Sequence, residues 1–263
     1  MAGLPGRLAG RQLRLAGTNP AVRPAVIRLP YNAVRISLDS ALGLEDRRTM
    51  GAARSWQTRL KQGLQAHWRR RRMAVFAEAI RAAPAASVID IGGLPELWRL
   101  VPRRPKVTLL NLPGSFDQLT EEQRSGFDFI EGSIFEHAEV TVNFDIAFSN
   151  SVLEHIGPSD KQSRFAQIVS KAPAYWIQVP SPSFPIEQHC HAALWWQRGD
   201  RLREKAMRRW CIRGDEVSAR FMRDTRPIYR STLARLFPDA NIASERVCGF
   251  EKSLYAFRAL DAS

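Results

Sequence analysis

A short run, Asp90-Ile91-Gly92-Gly93, closes the apolar stretch Ser87–Ile91. Two glycines at the end of a buried strand let a ligand approach the backbone, and the N-terminus of a following helix receives polar or anionic groups. Tight turns use the same residues, so this run alone does not separate a turn from a ligand loop. Further along, His155, His189 and His191 are side chains suited to moving a proton near neutral pH. His189-Cys190-His191 invites a metal reading, but ligands at i and i+2 with no second cluster evident in the sequence argue against zinc, and no metal ligand is assigned. Glu187 either pairs with a substrate amine or hydroxyl or holds its own loop. Cys190, Cys211 and Cys248 are odd in number and lack paired spacing, which disfavours a disulfide framework or a CxxC zinc site. A reducing, cytoplasmic setting fits such cysteines.

These residues need a scaffold, and the surrounding pattern supplies one. Apolar strands are expected at 87–91, 106–110, 127–131, 144–149 and 175–179, with two more at 244–249 and 253–258 across a short turn. Glycine, proline or asparagine punctuates the first five. Helical patterns fit between the early strands, notably 159–171, and an earlier helix from about Arg54 places Trp56, Leu60, Leu64 and Trp68 at four-residue steps. Continuous apolar strands alternating with helices indicate a parallel sheet covered on both faces. The expected fold is therefore α/β, a Rossmann-like three-layer sandwich with a seven-stranded, mostly parallel sheet and an antiparallel C-terminal strand. Ligands in such sheets sit beyond the carboxyl ends of the strands.

The charge is distributed unevenly. The 263-residue chain has a formal net charge of +13 and is 44% hydrophobic, enough to bury a sizeable core. Residues 1–83 hold 16 Lys/Arg against four acids, a surplus of 12, whereas residues 84–263 hold 23 against 22. Basicity is thus a property of the N-terminal third. Residues 1–53 read as a basic extension, partly disordered, with Met50 as an alternative start. Residues 54–263 read as the folded domain. Arg69–Arg72 is expected on the solvated face of the first helix rather than at a phosphate. No apolar run is long enough to span a membrane.

Taken together, the strand ends resemble class I S-adenosylmethionine-dependent methyltransferases, and more narrowly a bacterial small-molecule methyltransferase-like subgroup. The residues that carry the resemblance are Val88-Ile-Asp-Ile-Gly-Gly93, Val107-Thr-Leu-Leu-Asn111, Phe144-Asp-Ile-Ala-Phe-Ser-Asn-Ser-Val-Leu-Glu-His155 and Gln178-Val-Pro-Ser-Pro-Ser-Phe-Pro-Ile-Glu-Gln-His189. It extends over roughly residues 70–260. The resemblance implies S-adenosyl-L-methionine as cofactor. Asp90, Gly92 and Gly93 would line its methionine end, and Asn111 would meet the ribose. Ser133 would face the adenine, with Asn150 and Ser151 bordering the transfer site. Three departures stand out: the glycine loop continues as Leu94-Pro95-Glu96, Asn111 is neutral, and Ser133 lacks a carboxylate. Each neutral contact forgoes charge assistance of order ~1 kcal/mol. His155, following the fourth strand, is the first candidate for a general base, with fixing the local turn as its other role; His189 is the second.

The resemblance also implies a substrate cap at about 180–240. Residues 196–235 hold 12 Lys/Arg against five acids, which suits an acidic small-molecule or glycan-intermediate acceptor, while a basic helical pair with core tryptophans fits the same pattern. Methyl transfer to such an acceptor is the leading function. A catalytically inactive methyltransferase-like binding or scaffold protein is the alternative, motivated by the altered cofactor contacts. A nucleic-acid methyltransferase is third. It is disfavoured because Ser149-Asn-Ser-Val stands where an exocyclic-amine enzyme carries its Pro-Pro-aromatic motif, and no cysteine follows a proline.

Overall fold

The computed structural model describes residues 51–80, 85–101 and 104–260, with side chains in the first helix from residue 66 onward. Most of the expected N-terminal extension, together with the side chains of Trp56, Leu60 and Leu64, lies outside the described residues. The first helix, α1, spans Gly51–Ile80. Strands β1 (Ser87–Ile91), β2 (Lys106–Asn111), β3 (Asp128–Glu131), β4 (Ile146–Asn150), β5 (Ala174–Pro180), β6 (Asn241–Val247) and β7 (Phe250–Arg258) form one sheet in the order β3-β2-β1-β4-β5-β7-β6. β1 pairs with β2 and β4 in parallel, as do β2 with β3 and β4 with β5, and β7 runs antiparallel to both β5 and β6. The α/β sandwich with a reversed last strand is the expected one.

Several boundaries move. The C-terminal hairpin turns at Cys248-Gly249, with φ of 50° and 82°, so residues 248–249 are a two-residue loop and not the end of a strand. Positive φ at both positions matches the right-handed twist of the flanking strands. The connections between the early strands are single turns: α2 (Pro95–Trp98), α3 (Glu121–Arg124) and a 3-10 turn at Val140–Asn143. Full-length cover comes from α1 and from α4 (Ser159–Val169).

The alternation of each strand feeds two cores. On one face, Met73, Phe76 and Ile80 of α1 and Trp98 of α2 pack on Val88, Leu109, Phe148 and Trp176. The Phe76 ring meets those of Phe148, Trp98 and Trp176 edge-on at 5.1, 5.8 and 5.8 Å. Burial of this one side chain contributes roughly 1.5–3 kcal/mol. On the other face, Phe165 and Val169 of α4, Leu233 of α7 (Arg230–Leu236) and Phe237 just after it cover Ile89, Ala147 and Ile177. A third, smaller cluster joins Trp195 to α5 (Asp200–Ile212) and α6 (Glu216–Asp224). The helical pair with core tryptophans is thus present, with the Trp195 and Trp210 rings stacked 5.2 Å apart.

The arginine run divides. Arg69, Arg70 and Arg71 are exposed as expected, but Arg72 is buried and enters the sheet. It lies four residues before Phe76 and one before Met73, on the stripe that α1 turns to the core. Among the described residues, no helix is long and apolar enough to cross a membrane.

Candidate functional site

The parallel strands deliver their carboxyl ends to one edge of the sheet, with the order reversing between β1 and β4. Crevices at such a switch point receive ligands. Asn111 closes β2, Asn150 closes β4, Gly92-Gly93 follow β1 and Ser133 follows β3. The sequence-predicted cofactor residues therefore share this edge.

The glycine loop is held tightly. Gly92 has φ +79°, and its N–H donates to Leu110 O at 2.7 Å. A Cβ on Gly92 would lie 2.5 Å from Val152 Cγ2, and one on Gly93 would lie 1.9 Å from Asp90 Oδ2. Asp90 is consequently a supporting residue under the loop. It is 1% exposed, and its Oδ2 accepts from Trp98 Nε1 at 2.7 Å, while Oδ1 has no partner among the described residues. Burial pushes its carboxyl up to about 7, against the pull of the Trp98 hydrogen bond.

Asn111 ties the loop to β2: its amide donates to Gly93 O at 3.1 Å and its Oδ1 accepts from Leu112 N at 2.8 Å. One amide hydrogen and one lone pair remain for a ligand. Ser133 caps a turn, its Oγ accepting from Phe135 N at 3.3 Å. A carboxylate does stand here, supplied by Glu136, which accepts from Ser133 N at 3.0 Å. Beyond β4, Asn150 Oδ1 accepts from Arg72 Nη1 at 2.9 Å, and Ser151, at φ 58°, donates from Oγ to Gln178 Oε1 at 2.9 Å. Arg72 Nη2 also reaches Glu245 Oε2 at 3.0 Å and Ser253 Oγ at 3.4 Å. A buried guanidinium thus fixes the end of β4 from behind.

The second group begins four residues after Ser151. His155 closes a 3-10 turn (Leu153–His155), and its Nε2 lies 3.2 Å from His189 Nε2. The two candidate histidines, 34 residues apart in sequence, therefore form a pair. Glu187 holds its own loop, as one of the two sequence readings had it. It accepts from His189 N at 2.6 Å and Cys190 N at 2.7 Å, and from His189 Nδ1 at 2.7 Å. On the far side, Thr225 Oγ1 is 3.2 Å from His155 Nδ1 and donates to Phe221 O at 2.8 Å. Phe221 lies against both imidazoles, at 4.6 and 5.3 Å. Burial, with the charge of His189 beside it, pulls His155 down to about 3. For His189 burial also opposes the charge, but the Glu187 hydrogen bond and the nearby carboxylates outweigh it and raise the imidazole. Burial raises the Cys190 thiol well above its usual range, so it is not a reactive thiol.

Sequence reasoning did not identify Arg72, Glu136, Glu154 or Thr225. Arg72 had a legible signal, the i+4 spacing to Phe76. The others become neighbours only through folding. A cavity of about 760 Å³ lies in the helical insertion, away from the glycine loop. Six Lys/Arg and two acids line it, together with Trp195, Trp196 and Met222. Thr225 belongs both to this cavity and to the histidine pair, which places the pair at its margin.

No family model matches the sequence, and no curated protein is similar to it at a significant level. Among solved structures it resembles methyltransferases. The methyltransferase domain of bacterial CtHen1 is 13% identical, with 73% of this chain and 98% of that one covered and a TM-score of 0.47. Magnesium protoporphyrin IX methyltransferase from Synechocystis, with bound S-adenosylhomocysteine, is 14% identical over 72% and 81% of the two chains, TM-score 0.44. The Burkholderia thailandensis 1,6-didemethyltoxoflavin-N1-methyltransferase is 16% identical over 71% and 76%, TM-score 0.43. These values describe a distant likeness.

Proposed function

We propose that this protein transfers a methyl group from S-adenosyl-L-methionine to an acidic small-molecule or glycan-intermediate acceptor. The observation that carries the reading is the convergence of Gly92-Gly93, Asn111, Ser133, Asn150 and Ser151 on the carboxyl edge of the sheet, at the β1/β4 switch. Gly93 has no room for a larger residue, because a Cβ there would collide with Asp90, and this packing fixes the backbone edge against which the cofactor would lie. Asn111, with a spare donor and acceptor, suits a ribose diol, and Ser133 with Glu136 suits the adenine. The cofactor supplies an electrophilic methyl carbon on a sulfonium, whose departure as a thioether needs no acid.

The chain's own task is alignment and proton handling. Arg72 locks Asn150, and Gln178 locks Ser151, so that the β4 end borders the transfer site with little freedom. The His155–His189 pair serves the acceptor's nucleophilic oxygen or nitrogen, with His189 oriented by Glu187. His155 alone is a poor base, because its burial disfavours the imidazolium. The basic lining of the insertion cavity supports an anionic acceptor.

Calorimetric titration with S-adenosylmethionine and S-adenosylhomocysteine tests the reading. Micromolar binding to the wild type, lost in Gly93→Val, is expected. No binding near millimolar ligand in a folded chain would overturn it and favour a non-catalytic scaffold.

A further inference from the structure

The proton count at the histidine pair is informative. Thr225 Oγ1 donates its only hydrogen to Phe221 O, so it can only accept from His155 Nδ1. Glu187 Oε1 accepts from His189 Nδ1 at 2.7 Å. Each imidazole thus carries hydrogen on Nδ1 and turns a lone pair on Nε2 toward the other, 3.2 Å away. Two facing lone pairs need a positive centre between them, either a proton on His189 Nε2 donated to His155 Nε2 or a metal cation bound by both.

Glu154 supplies the third donor. It is 3% exposed, neither carboxylate oxygen has a hydrogen-bond partner among the described residues, and Oε1 lies 3.8 Å from His155 Nε2 and 4.0 Å from His189 Nε2. One donor atom from each of the three residues falls within 4.8 Å of the others. Tetrahedral zinc with Zn–N bonds of about 2.0–2.1 Å sets its ligands about 3.3–3.4 Å apart. The nitrogen pair already has that spacing, and Glu154 needs to move in by only about half an ångström to match it. The Nδ1 partners, Glu187 and Thr225, are the outer contacts that orient metal-bound imidazoles.

We infer that Glu154, His155 and His189 form a binding site for a divalent transition-metal cation, with two imidazole Nε2 atoms and one carboxylate as protein ligands. This is a different set from the His189-Cys190-His191 run that the sequence brings to mind. Three protein ligands leave a coordination position for an exogenous oxygen. Resting on the methyl-transfer reading, that position would take the acceptor's nucleophilic oxygen, at the margin of the basic cavity. The metal site itself does not depend on that reading.

The test uses the full chain, cleared with chelator and titrated with Co²⁺ in the absence of S-adenosylmethionine and acceptor, read by calorimetry and visible absorption. One equivalent should bind, with a nitrogen/oxygen ligand-field spectrum and no thiolate charge-transfer band. His155→Ala and His189→Ala should each weaken binding by roughly 100-fold or more, Glu187→Gln by about 10–100-fold, and His191→Ala not at all. Circular dichroism checks that each variant is folded. If one is not, paramagnetically shifted imidazole N–H resonances from two histidines in the cobalt-loaded wild type give the ligand count directly. Absence of binding at millimolar Co²⁺ would overturn the inference. So would binding retained without His155 and His189, or a thiolate band abolished by Cys190→Ser. Because no cofactor is present, failure here leaves the S-adenosylmethionine titration unaffected, and the converse also holds.

Discussion

Replacing Arg72 with Met strips a buried carboxylate of its partner. In the wild type the Arg72–Glu245 pair is 3.0 Å apart, with side chains 9% and 6% exposed, and Glu245 Oε1 already lacks a hydrogen bond among the described residues. The methionine stem refills most of the volume, so the cost is electrostatic. Breaking a buried pair by removing one member costs about 3–5 kcal/mol. Lys252 also acts on Glu245 electrostatically, which favours the lower end of that range. With a urea m-value of about 2 kcal/mol/M, a loss of about 3 kcal/mol shifts the midpoint down by about 1.5 M. Adding Glu245→Met to Arg72→Met removes the orphaned charge and should recover most of the shift, since two apolar groups can replace a buried ion pair at little net cost. Asn150 and Gln178 lose a donor in both variants. S-adenosylmethionine affinity should therefore stay depressed in the double variant although stability returns. A single-variant midpoint within about 0.3 M of wild type, or a double variant no more stable than the single, would refute the assignment of Arg72 as the electrostatic anchor of β4.

Other expectations follow from the same site. Gly93→Ala places a Cβ 1.9 Å from Asp90 Oδ2 and should weaken S-adenosylmethionine binding at least tenfold by calorimetry, by about 1.4 kcal/mol. Asp90, raised by burial from 3.8 to about 7, binds its proton more tightly folded than unfolded. Its contribution therefore favours folding at acid pH and declines as pH rises from about 4 to about 7, by up to about 4 kcal/mol. Asp90→Asn should remove that slope, and a wild-type-minus-variant stability difference that is flat across the range would count against it. Charge reversal at Lys205, in the cavity of the insertion, should raise KM for an anionic acceptor without changing S-adenosylmethionine affinity. Deleting residues 1–49 should leave cofactor binding unchanged, and a salt-dependent loss of nucleic-acid affinity on deletion would revive the nucleic-acid reading.

The sequence by itself determined the scaffold and one edge of the site. Apolar runs bounded by glycine, proline and asparagine are local signals, and β1 through β5 lie within a few residues of where those signals put them. Asn111, Ser133 and Asn150 follow because the residue at the end of a parallel strand is fixed once the strand is. Cys248 escaped this logic: with Val247 before it, it reads as strand, and only the pairing of Val247 with Phe250 makes it a turn. Tertiary structure alone decided the rest. Arg72 reads as one more solvated arginine until α1 is laid on the sheet and its guanidinium meets Glu245, 173 residues away. Asp90 reads as a ligand until Trp98 and Gly93 close over it. Glu154, His155 and His189 become one cluster because two loops, after β4 and after β5, leave the sheet side by side. Distances between side chains on separate loops are set by the packing of the elements that carry them, and no local pattern in the chain encodes them.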